Sequence, residues 1–203
     1  MYVWERAGWP NFTWKIDRII AKLAAVRHAQ GRLLGRMESL GFRLKQEAQL
    51  QTLTQDVIKS SEIEGERLDA DQVRSSLARR LGMDIAGMIS ADRNVEGVVE
   101  MMLDATQHFD KRLTGNRLFD WHASLFPTGR SGMTRITVGN WRDDAEGPMR
   151  VVSGPIGRER VHYQAPPADR VPVEMRAFLN WFNADTESDP VLKSGLAHFW
   201  FVT

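Results

Sequence analysis

From residue 11 onward the apolar positions fall into a helical rhythm. Ile16, Ile19, Ile20, Leu23, Val26, Leu33, Leu34, Met37 and Leu40 recur at steps of three and four, with Lys, Arg and Gln between them, which predicts an amphipathic helix stopped by Gly41. A second run over about 45–64 sets Leu50, Leu53, Val57 and Ile58 on one face, with Gly65 placed to cap it. Asp69 is positioned as the N-cap of a third helix that turns Val73, Leu77 and Leu81 inward. Val95, Val98, Val99, Met102 and Leu103 predict a fourth over 92–109. A fifth starts at Thr114 and carries Leu118, Trp121, His122, Leu125 and Phe126 up to Pro127.

Between 128 and 172 the period changes and glycine and proline become frequent. Two short stretches, 149–153 and 159–164, are β-compatible and flank Gly-Pro-Ile-Gly, so they predict a hairpin with a loop of four to five residues. Helical pattern returns over 172–183 and from Pro190 to the end. The opening ten residues, with Trp4, Trp9 and Pro10, are aromatic and irregular. They read either as an arm packing on another surface or as a tail anchored on its own core. The closing run of Leu196, Ala197, Phe199, Trp200, Phe201 and Val202 meets Thr203 with no cap or polar turn. Its last four carbonyls are expected to lack intrahelical partners, and the chain reads as cut there.

Composition narrows the function classes. The 203 residues carry 27 Lys+Arg against 26 Asp+Glu, a formal net charge of +1. Such a balance gives no general field for a polyanion, and Arg79-Arg80 with Arg158 and Arg160 are too few for a nucleic-acid footprint. The absence of cysteine excludes disulfides, thiolate metal sites and a cysteine nucleophile. No apolar run approaches the roughly 20 residues of a membrane span, and residues 1–10 have no signal-peptide core. The expectation is a soluble, cytoplasmic protein that binds neither membrane nor nucleic acid.

Candidate chemistry is sparse. There is no G-x-x-x-x-G-K-[ST] loop and no H-E-x-x-H pair. His28, His108, His122, His162 and His198 lie far apart, so no metal site is expected, and His122 and His198 read as satisfied core or interface residues. The stretch Ser60-Ser61-Glu62-Ile63-Glu64-Gly65-Glu66 stands out. Three glutamates at a helix C-terminus oppose its dipole, which points to a cation presented by another element; the plainer reading is a solvated terminus with a glycine cap. The second candidate is Val138-Gly139-Asn140-Trp141-Arg142, followed by the hairpin and then Tyr163-Gln164-Ala165-Pro166-Pro167. An exposed two-stranded hairpin offers an edge to an extended peptide, although an ordinary surface hairpin fits the pattern too.

These residues carry a resemblance. Ser60-x-x-x-Glu64-Gly65 has the [S/T]-x-x-x-E-[G/N] form of the inhibitory helix of Fic-domain adenylyltransferases. The 4–40 segment resembles the N-terminal helical extension of many bacterial members, and 118–126 resembles the helix before the flap. Gly139-Asn140-Trp141-Arg142, Val151-Val152-Ser153-Gly154 and Tyr163-Gln164-Ala165-Pro166-Pro167 resemble the flap. Trp181-Phe182-Asn183 and 197–203 resemble the helices leading to the active-site loop. The resemblance implies a mainly α fold: a Fic-like helical bundle, C-terminally incomplete, with an extension over 1–90 that includes an inhibitory helix at about 45–65. The incomplete core then spans 91–203, with the flap at about 138–167.

One feature departs from the family pattern. The defining loop His-Pro-Phe-x-Asp/Glu-Gly-Asn-Gly-Arg-x-x-Arg does not occur in these residues. It brings the general base, the Mg²⁺ ligand and the amides that hold phosphate, so this chain is expected to hold no catalytic residue of its own. The resemblance implies AMP transfer from ATP and Mg²⁺ to a hydroxyl of a target protein in the parent enzyme, with neither bound here and no transfer by this chain. It makes Glu64 the inhibitory carboxylate, with Ser60 and Gly65 beside it. It makes Met149, Arg150, Val151, Val152, Ser153, Val161, His162 and Tyr163 the target-docking flap. Arg142 is the residue to watch beside the flap, either functionally or as a structural ion pair. A homo-oligomer covering the apolar C-terminal end is expected. The competing reading is a non-enzymatic helical protein-interaction module.

Overall fold

A computed structural model describes every residue except Glu64, Gly132, Glu146, Ile156 and 186–188. Within its helices and strands it also describes the side chains of all but Phe42, Ser131 and Thr134. The described elements run α1 (Ile16–Glu38), α2 (Phe42–Ile63), α3 (Ala70–Arg80), α4 (Arg93–Gln107), α5 (Gly115–Leu125), β1 (Arg130–Ser131), β2 (Thr134–Arg135), β3 (Arg150–Ser153), β4 (Arg160–Gln164), α6 (Val171–Asn183) and α7 (Pro190–Phe201). The fold is mainly helical, as the periodicity predicts. The chain divides into two compact units, one of Met1–Ala25, Leu113–Gly115 and Asn140–Thr203, the other of Val26–Arg112 and Asn116–Gly139.

The second unit is built on α2, α3 and α4. Leu50, Leu53 and Val57 of α2, Val73, Leu77 and Ala78 of α3, and Val95, Val99 and Leu103 of α4 form its core. Each large side chain buried this way contributes about 1.5–3 kcal/mol. The predicted cap is present, Asp69 accepting from the Gln72 amide at 2.9 Å, and Asp92 caps α4 in the same way, accepting from the Val95 amide at 2.9 Å. Gly97 allows α4 and α5 to meet closely, since a Cβ there would lie 1.9 Å from the Ser124 carbonyl oxygen. The short ladder of β1 and β2, paired Arg130 with Arg135 and Ser131 with Thr134, was not among the predicted elements. With two residues per strand there is no alternation to read. In α1 no described residue is buried, and Ile16, Ile20, Val26, Leu33 and Leu34 stay exposed.

The first unit is held by aromatic rings. Phe178 of α6 lies 5.6 Å from Trp200 of α7, and Trp181 lies 5.4 Å from Trp200. The N-terminal segment, which includes a 3-10 turn at Val3–Glu5, is anchored on this unit. Trp9 packs 6.1 Å from Trp200 and Phe12 5.8 Å from Phe199, while the Trp4 indole donates to the Gln164 carbonyl at 2.8 Å. Asn183, at the end of α6, donates to the Leu113 carbonyl and accepts from the Leu113 amide, both at 2.8 Å. The β3–β4 hairpin forms where predicted, but Gly154 to Glu159 make its loop six residues rather than four to five. The end of α7 is less bare than expected: Thr203 Oγ1 donates to the Phe199 carbonyl at 2.8 Å, and the Tyr163 hydroxyl donates to the Thr203 carbonyl.

Candidate functional site

In the second unit the predicted inhibitory motif falls at the end of α2. Gly65 takes φ +84° and closes the helix. Its amide donates to the Glu62 carbonyl at 3.1 Å and the Glu66 amide to the Ser61 carbonyl at 2.9 Å, a double bond pattern that satisfies the last carbonyls and that glycine alone adopts without strain. Ser60 is exposed and Ser61 is buried against the core. Glu64 lies outside the described residues. Of its acidic neighbours, Glu62 is paired with Lys59 at 2.7 Å, and Ile63 is 83% exposed beside them.

In the first unit the eight flap residues come together on the hairpin. β3 and β4 run antiparallel with Arg150 opposite Gln164, Val151 opposite Tyr163, Val152 opposite Val161 and Ser153 opposite Arg160. His162 is the extra residue of a bulge, and its Nε2 lies 2.6 Å from Ser153 Oγ. Met149, Val151, Val152 and Val161 are exposed. No third strand pairs with β3 or β4 among the described residues.

Behind the hairpin lies a cavity of about 400 Å³, whose wall includes Trp9, Val151, Tyr163, Met175, Phe178 and Trp200. It is mostly apolar, with Arg142, Arg150 and Glu174 as its charged groups. Burial pushes the Tyr163 phenol up, and the nearby Arg142 charge partly opposes this. Arg142 is held structurally: Nη1 donates to Asp144 Oδ1 at 2.8 Å and Nη2 to the Pro166 carbonyl, while Asp144 Oδ2 accepts from the Ala168 amide at 2.7 Å. The ion pair therefore fixes the strand-exit loop at the base of the hairpin. Of the two roles open to Arg142, the structural one is the one its contacts serve. The cavity itself was not legible in sequence, because its wall draws on residues more than 190 positions apart; the aromatic N-terminal segment was its one signal.

A second polar centre also escaped the sequence reading. Asp104 accepts from Arg117 Nε at 2.6 Å and Trp121 Nε1 at 2.8 Å, with His108 Nδ1 at 2.8 Å. Arg117 continues to the carbonyls of Asp104, His108 and Lys111, closing the C-terminus of α4. Burial opposes the Asp104 charge, but the bonds from Arg117, His108 and Trp121 and the guanidinium charge outweigh it and bring its carboxyl from 3.8 to about 2. Every donor is spent on holding α4 to α5, so the centre is a structural joint. His122 is also satisfied, its Nδ1 accepting from the Gly139 amide at 3.4 Å.

Among the described residues no three His, Asp or Glu side chains converge as metal ligands. No helix among them is long and apolar enough to cross a membrane.

Comparison with known proteins agrees with this arrangement. Residues 2–83 match a family model described as a domain of unknown function (DUF4172). No curated protein matches the sequence. A solved structure, that of a Fic family protein from Desulfovibrio desulfuricans G20, superposes with a TM-score of 0.52 at 23% identity and covers 95% of this chain. The chain spans about half of that structure's length, 52% of it. A mainly helical chain with a short antiparallel hairpin, matched over 95% of its length, has a fold similar to that of this Fic family protein.

Proposed function

We propose that this chain belongs to a Fic-family protein adenylyltransferase of the cytoplasm, one that transfers AMP from ATP to a hydroxyl of a target protein and is restrained through Glu64. The observation that carries the reading is the order of its parts on a Fic fold. The Ser60-x-x-x-Glu64-Gly65 motif ends α2 in a glycine turn, and an open-edged hairpin stands beside a cavity in the other unit.

The proposed restraint is a competition for one guanidinium. A carboxylate in bidentate contact with the arginine of the family's loop occupies the donors that phosphate would take. In this reading Ser60, four residues before Glu64 in the sequence, orients that carboxylate. The flap residues align a target segment through main-chain pairing. The loop is not contained in these 203 residues, so the reading assigns transfer to a longer chain carrying it. No step through Mg²⁺ is derived from the residues present.

In that longer chain Glu64→Gly is expected to raise incorporation of labelled AMP into protein. The 203-residue protein alone is expected to show none and to bind ATP weakly in a magnesium titration. Unchanged incorporation in the Glu64→Gly variant would remove the inhibitory role. A non-enzymatic interaction module is the second reading, favoured by the uncovered apolar positions of α1. It is selected if the longer chain transfers no AMP with or without Glu64.

A further inference from the structure

The hairpin concentrates positive charge that the rest of the chain lacks. Residues 149–164 contain Arg150, Arg158 and Arg160 against the single acid Glu159, net +2 in a chain whose total is +1, so the remainder carries −1. Glu159 does not neutralise its neighbours. Its Oε1 accepts from the Gly157 amide at 2.8 Å, and that bond to the loop backbone holds its carboxyl below the usual range. Arg158 and Arg160 are exposed and form no salt bridge among the described residues. Arg150 bonds a neutral partner, with Nε 3.3 Å from Gln164 Oε1.

These cations sit at defined places on an open ladder. Arg150 of β3 stands at one end, opposite Gln164, and Arg160 of β4 at the other, opposite Ser153 and so on the other face of the ladder. At roughly 3.3 Å per residue the ends lie about 10–13 Å apart, the span of three to four residues of an added strand. Between them Val152 and Val161 face each other across the strands, 47% and 41% exposed. Backbone edges, a β-branched patch and guanidiniums near both ends match an extended acidic peptide. A nucleic acid has no peptide main chain to pair with the edges, and the Tyr163 ring is already packed edge-on with Tyr2 at 5.5 Å.

We propose that the β3–β4 hairpin selects acidic, extended segments of its partner protein, with Arg150, Arg158 and Arg160 as the selectivity-determining residues. The inference rests on the docking role given to the hairpin above, and it adds that the modified hydroxyl stands in acidic surroundings. Guanidinium–carboxylate pairs at an exposed rim steer association and set register more than they add affinity, so discrimination between charges is the quantity to read.

The test is fluorescence anisotropy with the 203-residue protein. The probes are a labelled peptide in which valine alternates with glutamate around one tyrosine, its lysine-for-glutamate counterpart, and a single-stranded oligonucleotide of matching negative charge. The glutamate peptide is expected to bind about tenfold tighter than the lysine peptide, and to lose that margin at high ionic strength. Arg158→Glu with Arg160→Glu is expected to abolish the preference, and Arg158→Gln with Arg160→Gln to reduce it. Circular dichroism checks both variants, and the glutamine pair decides if the reversed pair unfolds. Equal binding of the two peptides, an unchanged preference in the variants, or tighter binding of the oligonucleotide overturns the proposal. Charge-blind binding alongside AMP transfer by the longer chain sinks this inference and leaves the catalytic reading; acidic selectivity without any transfer does the reverse.

Discussion

Asp104 is the residue whose removal the fold should feel most directly. Its carboxyl, brought from 3.8 to about 2, marks stability gained by the ionised form, of which solvent screening leaves about 1 kcal/mol. The folded-state value lies below the unfolded one, so this contribution is complete well above pH 3.8 and drains away as pH falls toward 2. Asp104→Asn is expected to cost about 1–2 kcal/mol at neutral pH in urea denaturation. The variant should also lose part of the wild-type stability drop below pH 4. Gly97→Ala offers a sharper test, because ordinary helix propensity favours alanine by about 1 kcal/mol. Here the new methyl would meet the Ser124 carbonyl oxygen at 1.9 Å. A net loss of about 2 kcal/mol or more is expected, and a gain in melting temperature would mean that α4 and α5 do not approach as described. Neither residue announced itself in sequence: Asp104 reads as one more polar position of α4, and a helical glycine says nothing about which backbone it faces.

At the scale of elements, what was legible followed from local chemistry. The cap at Asp69 placed the start of α3, and the apolar run from Val95 to Leu103 placed α4 to within two residues, because capping and periodicity are properties of adjacent positions. The hairpin was legible for the same reason, although its loop is longer than the Gly-Pro-Ile-Gly spacing suggests. The cavity and the Arg117 joint were not, since both are made by residues that only tertiary packing brings together. Of the inhibitory motif, the glycine turn was read correctly and can be tested alone. Gly65→Ala forces a side chain into φ +84° and is expected to lower the stability of the α2 end by about 1–2 kcal/mol, read in amide exchange of residues 60–66.

Over the whole molecule the unusual quantity is apolar surface left uncovered. Ile16, Ile20, Val26, Leu33 and Leu34 on α1, and Phe199, Phe201 and Val202 at the end of α7, are all exposed. Single exposed leucines are ordinary, but a helix with no buried described residue and this many apolar ones is not. Under the expectation of a homo-oligomer, sedimentation velocity should show association rising with concentration. Leu33→Lys with Leu34→Lys should shift the boundary toward monomer with helicity unchanged. A single monomeric boundary at every concentration would remove the homo-oligomer from the proposed partners. The surplus residue in the hairpin has a consequence of a different kind. His162 shifts the register by one, so that Val161 pairs with Val152 and Arg160 with Ser153, the partners that a ladder lacking His162 would give them. Excising that one codon should therefore straighten the strand while leaving its decoration in place, which makes curvature and side-chain chemistry separately editable at this one position.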